Sequence, residues 1–278
     1  PEPPPVPNIA VEIDDQEVTV YWQKNAESFV DPISREMDFE GYRVYGARKT
    51  MNDAQNEFTL LGEFDIEHPD HDDIGYNTGF DFIRIVNEFG EQDSVEVDGK
   101  FYHFKFVNSD VKNGWLNYYA VTAYDRGDPA ANLASLESSV YANRKYVYPG
   151  VKSSTDWADN PSVYPNPYRG QAKWDSYSSR ARQIWFQNLP TKAEIRIFTL
   201  AGDLVDILDH DKEYKGADIQ NIDDRKNPQF GGGEHAWDLI TRHDQAAATG
   251  LYLFTVENLD NESSSYGEVK EGKFLIIK

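Results

Sequence analysis

The apolar residues of this chain arrive in short runs that alternate with polar ones and stop at Asp, Gly or Asn. Asn8–Ile13 and Glu17–Trp22 are two such runs, separated by Asp14-Asp15-Gln16. Val18, Val20 and Trp22 share one face of the second, and Glu17, Thr19 and Tyr21 the other. A period of two belongs to half-buried strands and not to helices, so the pattern predicts an antiparallel β protein. Phe39–Gly46 repeats it with Tyr42 and Val44 facing inward. Phe58–Phe64, Phe101–Val107 and Leu116–Tyr124 continue it.

The 278 residues are enough for two domains of ordinary size, and aromatic residues supply 14% of them. Aromatic and β-branched side chains suit a pleated, half-buried surface. A polar stretch without periodicity, 149–161, divides the chain. The expected organisation is a proline-rich spacer at 1–7, a sandwich at 8–148 carrying a long acidic insertion, a linker at 149–161 and a second sandwich at 162–278. Five of the first seven residues are proline, which makes a stiff spacer and suggests a chain continuing from something longer.

Charge narrows the function classes. Asp and Glu number 48 against 27 Lys and Arg, a formal net charge of −21. Such a surface repels nucleic acid and anionic lipid. No apolar stretch reaches the roughly 20 residues of a spanning helix, so no membrane insertion is expected. The absence of cysteine removes disulfides, thiolate metal sites and cysteine nucleophiles.

Chemistry is sparse. The sequence has no Ser elbow, phosphate-cradling loop or His-Glu-x-x-His helix, and no catalytic activity is expected. Gly231-Gly232-Gly233 reads as a flexible loop, and His210, His235 and His243 lie near loops without a nucleophile. Within the insertion, Asp70, Asp72, Gly75 and Asp81 stand at the first, third, sixth and twelfth places of a calcium loop, with Asp73 beside them. Hard cations want several loop oxygens and a glycine turn. Ile74 occupies the fifth place, where an oxygen is needed, and the alternative is a solvated acidic loop. His68 and His71 are a weaker transition-metal pair. Trp157 and Trp174, in irregular polar segments, are candidate platforms for sugars or packing residues.

In the second half, strands are predicted at Gln183–Gln187, Ala193–Thr199, Leu204–Leu208, His235–Ile240, Gly250–Val256 and Lys273–Ile277. Gly250–Val256 is apolar on both faces, which predicts a central strand covered on each side. Pro165 and Pro167 flanking Asn166 predict an extended lead into this domain. Gly202 and Gly250 read as positive-φ turn residues and Trp237 as a core aromatic.

Two resemblances follow from these residues. The strand ending at Trp22, then "FEGYRVYG", "YYAVTAYD" and "LESSVYAN", resembles a fibronectin type III domain, although Asn117 stands where that family places its corner tyrosine. The succession Tyr164-Pro165-Asn166-Pro167, Leu200-Ala201-Gly202, Trp237, Gly250-Leu251-Tyr252 and Lys273 to Lys278 resembles the C-terminal sorting domain of proteins exported by the type IX secretion system. An immunoglobulin-like hook-capping domain has a similar fold. The sorting resemblance implies a non-catalytic module that folds on its own and lies at a native C-terminus. It also implies export through the periplasm to the outer surface or medium. Its partners would be the secretion machinery or outer-membrane and cell-surface components. The alternatives are a self-associating structural subunit and a calcium- or glycan-dependent adhesion module.

Overall fold

The computed structural model describes residues 2–33, 35–48, 58–70, 75–127, 132–170, 182–214 and 230–278. Strands and their connections account for all of these, and no described residue is helical. The chain divides into two compact units, the first built mainly on residues up to Val147 and the second on Tyr148–Lys278.

The first unit contains β1 (Ile9–Asp14), β2 (Glu17–Trp22), β3 (Phe39–Arg48), β4 (Thr59–Asp65), β5 (Val95–Val97), β6 (Lys100–Tyr102), β7 (Phe104–Asn108), β8 (Asn117–Asp125) and β9 (Lys145–Val147). One sheet has the order β1-β2-β7 and the other β4-β3-β8-β9, with β5-β6 as a separate ribbon. Val18, Val20 and Trp22 are fully buried, as the alternation requires. The Trp22 ring lies 5.7 Å from both Tyr42 and Phe104, and Tyr42 lies 5.3 Å from Phe104, so aromatic edges knit the two sheets together. The predicted Phe101–Val107 strand is two strands: it breaks at His103, with β6 pairing β5 and β7 pairing β2. That break lets Tyr102 and Val97 of the ribbon pack on Ala10 and Tyr21, covering the outward face of β1 and β2.

The second unit contains β10 (Ser162–Tyr164), β11 (Tyr168–Arg169), β12 (Ile184–Gln187), β13 (Lys192–Thr199), β14 (Leu204–Asp211), β15 (His235–Trp237), β16 (Gly250–Asn258) and β17 (Val269–Ile277). They form a three-stranded sheet, β10-β12-β15, and a five-stranded sheet, β11-β17-β16-β13-β14. Phe186 of the first sheet meets Phe254 at 5.1 Å and Phe274 at 6.1 Å in the second, which marks the sandwich core. β16 is central in its sheet, as predicted, but it is not covered on both faces. Tyr252, Phe254 and Val256 are buried, whereas Leu251 and Leu253 are exposed. Register places Leu275 beside Leu251, and Phe198 and Lys273 beside Leu253, so that outward face is apolar with a cationic fringe.

Two irregular segments are more ordered than their composition predicts. Trp157, inside the stretch read as a linker, is a core residue of the second unit. Its indole N–H donates to the Asn188 carbonyl at 2.8 Å. Gly231–Gly233 is no flexible loop, because it pairs with residues 151–153: Ser153 N–H donates to Gly231 O at 3.1 Å and Gly233 N–H to Val151 O at 3.0 Å. A Cβ on Gly233 would stand 2.6 Å from the Lys152 carbonyl oxygen, so close backbone approach is what requires glycine here.

Candidate functional site

The sorting-motif residues gather around the last strand of the second unit. β10 ends at Tyr164, and Pro165, Asn166 and Pro167 turn the chain into β11 in place of the extended lead expected from the sequence. Both X–Pro bonds in this turn are cis. Leu275 N–H donates to Asn166 Oδ1 at 3.2 Å, which fastens the turn to β17. Tyr168 then pairs in parallel with Ile276. Neighbouring residues of the motif thus contact the final strand through side chain and backbone in succession.

On the inner face, Tyr252 stacks on Phe274 with centroids 5.4 Å apart, and Trp237 lies 6.2 Å from Tyr252. Trp237 is buried and its N–H reaches both Asp206 Oδ2 and Ile240 O at 2.8 Å, a satisfied core indole. The Tyr252 hydroxyl donates to Ala248 O at 2.9 Å. Gly202 turns the β13–β14 hairpin at φ 91°, as expected of a glycine in a reversal. Gly250 differs from expectation: it has no positive φ, and it opens β16 opposite Ile276. Lys273 is exposed on the outward face, and Lys278 N–H donates to Thr249 Oγ1 at 3.0 Å.

Sequence reasoning missed Lys270, which organises the segment before the motif. Its ammonium donates to the carbonyls of Trp157, Ala158 and Asp159 at 2.5, 3.1 and 3.0 Å. It also sits 4.4 Å from the centre of the Trp157 ring. Lys270 precedes the Lys273–Ile277 strand expected from the sequence, and its carbonyl partners, more than a hundred residues away, leave no local signal.

In the first unit, the acidic insertion is organised by its own backbone. Asp65 is fully buried, and its carboxylate accepts bonds from the Tyr76, Asn77 and Thr78 amides and the Thr78 hydroxyl. Burial alone would raise its pKa; the hydrogen bonds from Thr78, Tyr76 and Asn77 outweigh that and hold it below the usual carboxylate range. Glu40, also buried, meets His68 Nε2 at 3.1 Å through both oxygens, and desolvation raises its pKa against the pull of His68. Of the predicted calcium set, Asp70 is exposed, and Asp81 is exposed and pairs with Arg84 at 3.5 Å. Asp72 and Asp73, with His71, lie outside the described residues, and so does Trp174. Among the described residues no group of three or more His, Asp or Glu could hold a metal ion. Burial of Trp157 removes it as a sugar platform; among the described residues the exposed rings are Tyr76, Phe82 and Phe89 of the insertion, together with Phe101, Trp115, Tyr141 and Tyr266.

No helix among the described residues is long and apolar enough to cross a membrane. No protein-family model matches this sequence, and a search of curated proteins returned no match. Among solved structures, the chain aligns with PorZ of Porphyromonas gingivalis, described as an essential surface component of its type IX secretion system. That alignment has 15% identity and TM-score 0.28 over 56% of this chain and 15% of PorZ. It aligns with the FN1–FN3 domains of chicken CNTN1 at 10% identity and TM-score 0.27, covering 100% of this chain and 67% of that one. Dimeric latent PorU of P. gingivalis aligns at 10% identity and TM-score 0.24, with 98% of this chain and 34% of PorU covered. At these scores the alignments assign neither activity nor partner to this chain.

Proposed function

We propose that this chain is a non-catalytic spacer and sorting or anchoring module of a secreted or cell-surface protein, carried outward by type IX export. The observation that supports it is the fastening of the Tyr164–Pro167 turn to β17 through Asn166 and Leu275. Motif pieces more than a hundred residues apart converge on one strand, leaving its outward face to a receptor. The module needs no titratable group at this place, only a rigid unit with one accessible surface. The test is export of a periplasmic reporter fused ahead of residues 1–278, in a host with the type IX machinery and in its translocon-deficient derivative. Surface or medium reporter in the first and periplasmic reporter in the second is the expected result. Retention in both hosts overturns the proposal.

A second reading, a structural subunit that associates with itself, draws on the outward apolar face around Leu251, Leu253, Leu275 and Phe198. Light scattering across a concentration series separates the two: the spacer-and-sorting reading expects a monomer, and the structural reading a defined oligomer.

A further inference from the structure

The second unit buries two histidines against each other. His210 lies on β14, the edge strand of the five-stranded sheet, and His235 on β15, the edge strand of the three-stranded sheet. Their Nδ1 atoms are 3.3 Å apart and both residues are buried. His210 Nε2 lies 3.1 Å from the Gly232 carbonyl, which can only accept, so Nε2 carries a proton. In a neutral His210 ring Nδ1 is then the acceptor, and His235 Nδ1–H must donate to it. The contact needs at least one bare Nδ1: a single added proton is still shared between the two rings, whereas protonation of both sets two N–H groups face to face.

Among the described residues, the surroundings offer little to hold an added proton. Tyr214 stacks on His235 at 3.8 Å. The residue opposite His210 on β13 is Ala193 and the one opposite His235 on β12 is Phe186, neither of them ionisable. Burial apart, the Gly232 carbonyl is the first group that favours charge on His210, followed by the Asp211 carboxylate and the Pro190 carbonyl. Glu234, next to His235 in the chain, has its Oε1 bonded by Gln187 Nε2 at 3.0 Å and the Tyr164 hydroxyl at 3.4 Å. Burial dominates: it pushes His210 down to about 4, and burial together with repulsion from His210 pushes His235 down to about 3.

We propose that the His210–His235 pair is an acid-release latch that ties the β14 and β15 edges of the second unit together while at least one Nδ1 is bare and lets them part when both rings are protonated. The sign follows from linkage. Each imidazole binds its proton more weakly folded than unfolded, so stability is complete above the unfolded value near 6.5 and falls as pH drops from there towards the folded values. Between pH 7 and pH 4 the folding equilibrium of the second unit should weaken by at least about 100-fold through this pair.

The experiment uses the full chain. Hydrogen exchange, corrected for intrinsic rates, is followed at pH 7 and pH 4.5 alongside ring 15N titration of both histidines. The expected result is protection lost at pH 4.5 around β14 and β15 before β13 and β16, with both rings still neutral in the folded state at pH 5.5. The variant H210L/H235F replaces both partners with apolar rings or chains of similar size and should remove most of the acid-dependent loss at β14 and β15. Equal protection at both pH values, a folded-state midpoint near 6.5 for both rings, or an unchanged acid response in the double variant would each overturn the latch. Should the double variant fold poorly, the wild-type ring titration decides alone.

Discussion

The two units differ in the ionisable groups they bury. The first keeps the carboxylates Asp31, Glu40, Asp65 and Asp125 out of solvent, and the second buries the carboxylates Glu234 and Asp260 and adds the imidazoles His210 and His235. A buried carboxylate must find donors, and Asp65 finds four in a loop that wraps around it. A buried imidazole can instead go neutral and satisfy a like partner. On the proposed reading, the acidic loop is held by ionisation, while the β14 and β15 edges of the second unit are held by its absence. Acid should act on the two places for different reasons, through loss of charge at Asp65 and gain of charge at the histidines.

The largest test of whether the units can be separated is truncation of a core ring. Trp237→Ala removes an indole that touches Tyr252 and Phe274 and leaves Asp206 without that donor. The expected cost is about 3–5 kcal/mol. Exchange protection should fall across β13, β16 and β17, with β3 and β8 unchanged. Equal loss in β3 and β8 would mean that the two units unfold as one, and the contrast in buried charge would then have no separate readout.

Asp65→Ala should cost about 2–3 kcal/mol, because three amides and a hydroxyl lose a charged acceptor. Its pKa is depressed, so its contribution is present above the unfolded value near 3.8 and is lost as pH falls below it. Denaturant melts of the variant and the wild type should therefore converge in strong acid and differ most at neutral pH. A difference that does not depend on pH would show that the loop is held by packing alone.

The strands were legible because period-two alternation records which face is wet, and Val18, Val20 and Trp22 obey it without exception. The failures share a cause. His103 breaks a run that alternates cleanly, since the break depends on which partner each half pairs with. Gly231–Gly233 looked flexible because glycine reports only that a side chain is absent, not that another backbone stands in its place. Asp65 and the histidine pair were invisible for the same reason: burial and partnership are long-range facts. The motif residues around β17 were read from order along the chain, yet the bond joining Asn166 to Leu275 required the fold.

The glycines give a smaller and sharper contrast. Gly233→Ala should cost about 1–3 kcal/mol, since its new methyl group meets the Lys152 carbonyl in a backbone pairing that cannot easily move. A melting temperature unchanged by that substitution would mean that the pairing of 151–153 with Gly231–Gly233 is dispensable.

Gly250→Ala should do almost nothing to stability. The residue has no positive φ, and the nearest atom to a new Cβ is the Tyr252 ring at 4.0 Å, an ordinary contact. The expected change is within about 0.5 kcal/mol, with a slight gain because alanine loses less backbone freedom in a strand. This makes Gly250 a motif position where folding and recognition can be read separately. A variant that melts like the wild type but fails to carry the reporter outward would place Gly250 on the surface that a receptor reads. A variant that melts normally and exports normally would make Gly250 a bystander of the motif. The recognised surface would then have to be sought among the outward side chains of β16 and β17, with Leu253 and Lys273 first.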